Sequence, residues 1–259
     1  MSVLLWILLS TLLGGLLSAG LASLFLLFSK QRRAQWLPHL ISFATGAMLA
    51  AALLSLLPEA IANVGPARVP AIGAALLAGI GLFFVLEKLV LWRHCHTDDC
   101  ESHVPHGVAR DRAAGWLILI GDGIHNAFDG VLIAAAFLTD VKLGIVTALA
   151  ITAHEIPQEL GDLAVLLHAG MSPLRALLFN IASGLTSIIG GLLGYFALSQ
   201  ALEMLPYAIA VAAASLIYVA VADLIPGLHR RVDPRGSLMQ VLLIGLGVAV
   251  IAGAEITLH

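Results

Sequence analysis

His125-Asn126-Ala127-Phe128-Asp129-Gly130 and His154-Glu155-Ile156-Pro157-Gln158-Glu159-Leu160-Gly161-Asp162 put imidazoles, carboxylates and carboxamides inside two apolar segments. An ionisable side chain at membrane depth costs a few kcal/mol or more, so it marks an ion or substrate path. The side-chain types are those that bind a divalent transition metal. They point to a metal-conducting membrane protein.

The surrounding composition supports a membrane setting. Hydrophobic residues make up 60% and charged residues 11% of 259 positions, far from the soluble average. A span needs about 20 predominantly apolar residues. Such windows fall near 3–28, 37–61, 69–92, 113–137, 142–167, 173–199, 206–228 and 237–257. The expected fold is an all-α polytopic membrane protein with eight transmembrane helices, the two central polar ones flanked by two three-helix groups. Residues 1–259 form one membrane domain, with 93–112 as a loop bearing His, Cys and acidic residues. Breaker signals at Gly65-Pro66, Val104-Pro105, Ser172-Pro173 and Asp233-Pro234 separate the helices. Most of the loops are short, which predicts antiparallel packing of sequential helices. Gly190 and Gly194 are spaced four apart, as are Gly245, Ala249 and Gly253, and both sets read as close-packing seams.

Orientation follows from the short loops, where Lys and Arg are held in the cytoplasm. Lys30, Arg32, Arg33, Lys88, Arg93, Arg110, Arg112, Arg175, Arg230, Arg231 and Arg235 fall on one side, and Arg68 and Lys142 on the other. Both termini are therefore expected outside the cytoplasm, in a multi-pass cell (inner) membrane protein. The basic cluster Lys30-Gln31-Arg32-Arg33 follows the first apolar run, whereas a secretory signal has the reverse order. The first window reads as a retained helix.

On the first polar helix, His125 and Asp129 are four apart and share a face with Asn126 and Asp122. On the second, His154, Gln158 and Asp162 run at four-residue steps beside Glu155 and Glu159. Two facing helices thus offer more donors than the four of a tetrahedral zinc site, enough for two adjacent metals or one metal moving between positions. Pro157 removes a backbone donor and crowds the Ala153 carbonyl, which predicts a kink.

These two motifs resemble the signature of the ZIP family of divalent metal transporters. The resemblance implies metal movement into the cytoplasm through a binuclear site between the fourth and fifth helices. It also implies zinc as cargo, with iron, manganese and cadmium as alternatives, and an elevator-like or rocking motion of helix groups. His125, Asn126, Asp129, His154, Glu155, Gln158 and Glu159 are carried over as ligands. Met48 occupies a position resembling a thioether ligand in some members. Gln158 departs from the pattern, since many relatives have His there. So do Ser55 before Leu56-Leu57-Pro58-Glu59, where relatives often have His, and Gly227 after Pro226, where many have Glu. No cofactor is required. The expected partners are a divalent metal ion, the lipid bilayer and a second copy in a homodimer, with no nucleic acid.

The 93–112 loop carries His94, Cys95, His96, Cys100, His103 and His106 among acids, a His-rich tract suited to weak metal capture. Two competing functions each fit part of the sequence. An intramembrane metalloprotease is suggested by His154-Glu155-x-x-Gln158, but Gln158 stands where that motif needs a second histidine. A metal sensor would need a signalling domain. In a reducing cytoplasm Cys95 and Cys100 stay unpaired thiols. An impermeant thiol reagent applied to intact cells is expected to leave both unmodified, and labelling of both overturns the topology.

Overall fold

The computed structural model describes residues 2–25, 27–94, 108–168, 171–229 and 234–258. These form helices α1 (Val3–Phe25), α2 (Lys30–Ala50), α3 (Leu57–Ala62), α4 (Val69–His94), α5 (Val108–Thr139) and α6 (Val141–His168). They continue with α7 (Pro173–Gly184), α8 (Thr186–Leu198), α9 (Leu205–Tyr218), α10 (Ile225–Leu228) and α11 (Pro234–Leu258). Six stretches of the described residues are long and apolar enough to cross a membrane: Val3–Leu24, Gln35–Ala62, Pro66–Leu86, Pro173–Leu198, Leu202–Leu228 and Gly236–Ala254. α5 and α6, at 32 and 28 residues, have the length for a span, but buried acids and imidazoles interrupt their apolar runs.

Two of these stretches contain a wide turn. α2 enters α3 through a π-helical turn, Ala51–Leu56, and α9 enters α10 through another, Val219–Leu224. Each turn is followed by a proline in the second position, Pro58 and Pro226. Proline has no N–H to give and crowds the carbonyl four residues back. Widening the turn relieves both problems, and the Leu57 and Ile225 N–H groups accordingly bond five residues back, to Ala52 and Ala220. Pro157, by contrast, lies within α6, which continues through it to His168.

The helices associate in two groups. α1, α5, α6 and α7–α8 form one, in which α5 packs chiefly on α8 and α1 on α6; in the other, α2 packs on α11 and α4 on α9. The expectation that sequential helices are neighbours holds for α5 and α6 but fails for α1. Among the described residues α1 makes little contact with α2. The central polar pair packs on both groups, α6 against α2 and α11 as well as α1, and α5 against α9 as well as α8.

Backbone approach explains this pairing better than loop length does. A Cβ on Gly130 would fall on the Ser187 carbonyl, and one on Gly190 on the Ala127 carbonyl. α5 and α8 therefore touch backbone to backbone, and Gly194 extends the seam against Val131 and Ala134. A hydroxyl reinforces it, Thr186 Oγ1 donating to the Gly123 carbonyl at 2.5 Å, while Ser187 Oγ ties α8 to α1 at the Thr11 carbonyl, 3.3 Å away. Across α2 and α11 the close residues are Gly46, against the Ile244 carbonyl, and Gly247, against the Phe43 carbonyl. The seam expected at Gly245 and Gly253 is not where α11 packs, because both have open space where a Cβ would stand.

Without a hydrophobic drive between helices in lipid, such close packing supplies much of the association energy. Overpacking typically costs about 1–3 kcal/mol. Gly190→Val should lower the thermal unfolding midpoint of the detergent-purified protein by several degrees. Gly81→Val, on the exposed face of α4 with open space at its Cα, should leave it nearly unmoved, as read by a thermal-shift assay.

Candidate metal centre

α5 and α6 form a hairpin whose only link is Asp140. Its carboxylate caps α6, accepting from the Lys142 N–H at 2.8 Å and the Leu143 N–H at 3.3 Å. Its own N–H bonds back to the Ala136 carbonyl of α5, and its carbonyl accepts from Gly144. An N-cap carboxylate of this kind satisfies helix N–H groups that lack intrahelical partners. The tight link fixes the register of the two antiparallel helices, and so decides which polar side chains meet.

Asp129 and His154 meet first, with His154 Nε2 at 3.3 Å from Asp129 Oδ2. His154 Nε2 is 3.5 Å from Glu155 Oε1 and 3.3 Å from His125 Nε2. His125 Nε2 lies 3.7 Å from Asp129 Oδ2 and 3.8 Å from Glu155 Oε1. The donor atoms of His125, Asp129, His154 and Glu155 all fall within 4.8 Å of one another. A tetrahedron with metal–ligand bonds of about 2.0–2.1 Å has edges of roughly 3.3–3.4 Å. The five atom pairs given above are within a few tenths of an ångström of those edges.

The group is dry. Asp129, His154 and Glu155 are almost wholly buried, and His125 is 21% exposed. Asp129 Oδ2 and both Glu155 carboxylate oxygens have no hydrogen-bond donor. No lysine or arginine pairs with these acids among the described residues. Buried anions left in that state are costly, whereas two imidazole nitrogens and two carboxylate oxygens suit a divalent transition metal. His154 Nδ1 also lacks a partner. Tightly held metal sites usually anchor that second nitrogen.

The remaining residues expected as ligands lie close by but are turned elsewhere. Asn126 Nδ2 donates to Asp122, at 3.1 Å to Oδ1 and 3.2 Å to the carbonyl, and Gln158 Nε2 donates to the same Oδ1 at 3.2 Å. Glu159 is fully buried beneath Gly184, and neither of its carboxylate oxygens has a donor. Met48 is fully buried in the apolar core with Ala47, Ala51 and Ile133. His96, His103, His106 and both cysteines lie outside the described residues, and His94 is the last residue of α4.

Sequence reasoning missed the contribution of α7. Asn180 Nδ2 donates to the Glu159 carbonyl at 3.3 Å, and Ser183 lies beside Asp122. Asn180 is the one amide in the 173–199 window and shares a helical face with Ser183. That was the available signal.

The donor set also bears on the protease reading. A catalytic zinc keeps one position open for water, with three protein ligands. Here four protein donors already surround the centre, and Gln158 is engaged with Asp122.

The family model described as ZIP zinc transporter matches residues 92–255. Zinc transporter ZIP13 of Mus musculus is 31% identical over 247 residues, covering 83% of this chain and 68% of the relative. Zinc transporter ZIP4 of Homo sapiens is 42% identical over 131 residues, 51% of this chain, and zinc transporter foi of Drosophila melanogaster is 39% identical over 142 residues, 54% of this chain. The chain spans only 20% of the length of each of these last two. The family is one of transporters, not enzymes. Both polar helices lie inside the matched region, and the similarity to ZIP13 extends over most of the chain: this multi-pass membrane protein belongs to the ZIP zinc transporter family.

Proposed function

We propose that the chain carries divalent transition metal, zinc foremost, across the membrane into the cytoplasm, using His125, Asp129, His154 and Glu155 as its principal binding centre. The observation that carries this reading is the four-donor group itself, at near-tetrahedral spacing, buried between two polar helices with no basic side chain to balance its acids among the described residues. α5 and α6 complete an eight-span bundle in this reading, with both termini outside, in keeping with the distribution of Lys and Arg. Iron, manganese and cadmium fit the same mixed donor set.

The chemistry favours passage over storage. Conduction needs binding strong enough to admit the ion and weak enough to release it. No thiolate joins the centre among the described residues, and His154 lacks an anchoring partner on Nδ1. Ligation needs neutral imidazole and ionised carboxylate, so binding competes with protons and uptake falls as the outside medium is acidified. Asn126, Gln158 and Glu159 form the adjacent position of a binuclear-type path. Met48 we assign to packing against α5 and α6.

Uptake of zinc into proteoliposomes by the purified protein tests the reading. His125→Ala, Asp129→Ala, His154→Ala and Glu155→Ala should each remove most of the flux while the protein remains folded and monodisperse. Near-normal uptake by the His125→Ala/Asp129→Ala double variant rules this centre out. Gln158→His, which adds an imidazole beside the centre, should lower the half-saturation for zinc several-fold and slow turnover. An unchanged half-saturation and an unchanged order among zinc, cadmium, manganese and iron would remove Gln158 from the path.

A further inference from the structure

An apolar groove runs between α5 and the α7–α8 pair. Ile120, Ile124 and Val131 of α5 face Phe179 of α7 and Ile189 and Leu193 of α8 across a volume of about 670 Å³. Small-molecule ligands are held in pockets of about 300–1,000 Å³. Along α5 the groove extends from Leu119 to Val131, about 18 Å at 1.5 Å per residue. One leaflet of a bilayer's hydrocarbon core is about 15 Å deep. The groove therefore has the length that one acyl chain spans.

Its walls offer nothing to a polar ligand. Ser183 Oγ donates to the Asn180 carbonyl at 2.9 Å, and Thr186 Oγ1 bonds the Gly123 and Ser183 carbonyls. Ile120, Ile124, Ile189 and Leu193 are exposed along it, beside the apolar stretch Pro173–Leu198. A water held there would need two to four polar partners, whereas hydrocarbon needs none. The groove is also held open. Gly190 in its floor meets the Ala127 backbone, and Phe128 is braced edge-on by Phe83 of α4, with ring centroids 6.0 Å apart.

Charge at one end identifies the rest of the ligand. Arg175 is exposed on α7, four residues before Phe179 and seven before Ala182, so it shares the helix face that lines the groove. It lies about 6 Å beyond Phe179 along the helix, toward the end that the distribution of Lys and Arg assigns to the cytoplasm. A guanidinium at that level is complementary to the phosphates of the inner leaflet.

We infer that this groove binds one phospholipid of the cytoplasmic leaflet, with an acyl chain between α5 and α8 and its phosphate on Arg175. The chain then packs on α5 at Gly123 and Ala127, residues that alternate with Asp122 and Asn126 on the helix carrying the metal centre. The inference needs the membrane setting but not metal transport.

The test reconstitutes the full chain in phosphatidylcholine vesicles carrying a small fraction of phosphatidylglycerol with a photoactivatable group in one acyl chain. Cross-linked peptides are read by mass spectrometry. Labelling should concentrate in 119–131 and 179–193, well above that on the exposed face of α11 at Leu242 and Leu246. A diacylglycerol with the same chains but no phosphate should label the groove several-fold less. Arg175→Gln should remove that difference, and Arg175→Lys should keep part of it. Ala182→Trp, which places an indole at the exposed edge of the groove, should lower groove labelling several-fold and leave α11 labelling unchanged. If that variant does not fold, Ile189→Trp carries the same expectation. Groove labelling no greater than that on α11, or unchanged by the tryptophan, overturns the site. Equal labelling of the wild-type groove by the two lipids overturns the phosphate contact. A photoreactive side chain at Ile189 that captures a second copy of the chain and no lipid assigns the groove to a dimer and overturns the proposal. Zinc uptake is read in none of these arms, so failure of the transport reading would leave the lipid site standing.

Discussion

Buried negative charge without protein counter-charge is the constraint on which the rest of this structure depends. Asp122, Asp129, Glu155 and Glu159 are buried on α5 and α6, Asp162 is half-buried beside them, and no lysine or arginine pairs with the group among the described residues. Removing such groups from water costs several kcal/mol each unless something replaces the lost solvation. Protonation of the carboxyls or a bound cation offsets that cost.

Holding the acids together requires rigid helices with little freedom to splay. The Asp140 cap sets the register of α5 against α6. On the far side, Gly130, Gly190 and Gly194 bring α8 against the back of α5, and the Thr186 hydroxyl bonds the Gly123 backbone within the same turn as Asp122. Packing and chemistry are therefore coupled through single residues: Gly130 directly follows the ligand candidate Asp129 in sequence and forms the seam. The other helix group is built differently, with π turns at Ala51–Leu56 and Val219–Leu224 ahead of prolines. Wide turns of this kind are frequent at functional positions, and here both lie in the helices outside the α5–α6 group.

How much of this was legible in the sequence differs by level. The apolar windows locate the helices because a span is a composition property over about 20 residues. All of them except 113–137 and 142–167, the two with buried acids, coincide with stretches long and apolar enough to cross a membrane. The π turns inside the 37–61 and 206–228 windows are invisible to composition; only Pro58 and Pro226 hint at them. Helix partners were not legible. Short loops suggested that neighbours in sequence pack together, whereas α1 sits on α6 and α2 on α11. In lipid the choice of partner is made by small-residue surfaces and not by connection length. The offset of the α11 seam from Gly245 and Gly253 to Gly247 shows how finely that choice depends on helix rotation.

The site divides along the same line. Sequence by itself singled out the candidate ligands of the two polar helices, because His, Asp, Glu, Asn and Gln at three- and four-residue spacing in an apolar helix are costly in lipid for packing alone. It could not say which of the candidate ligands share one ion. Only the tertiary structure decided that His125, Asp129, His154 and Glu155 converge while Asn126 and Gln158 turn to Asp122. Spacing fixes a face of one helix, but the meeting of two faces depends on register and rotation, which the Asp140 link and the glycine seams set through contacts far apart in the chain.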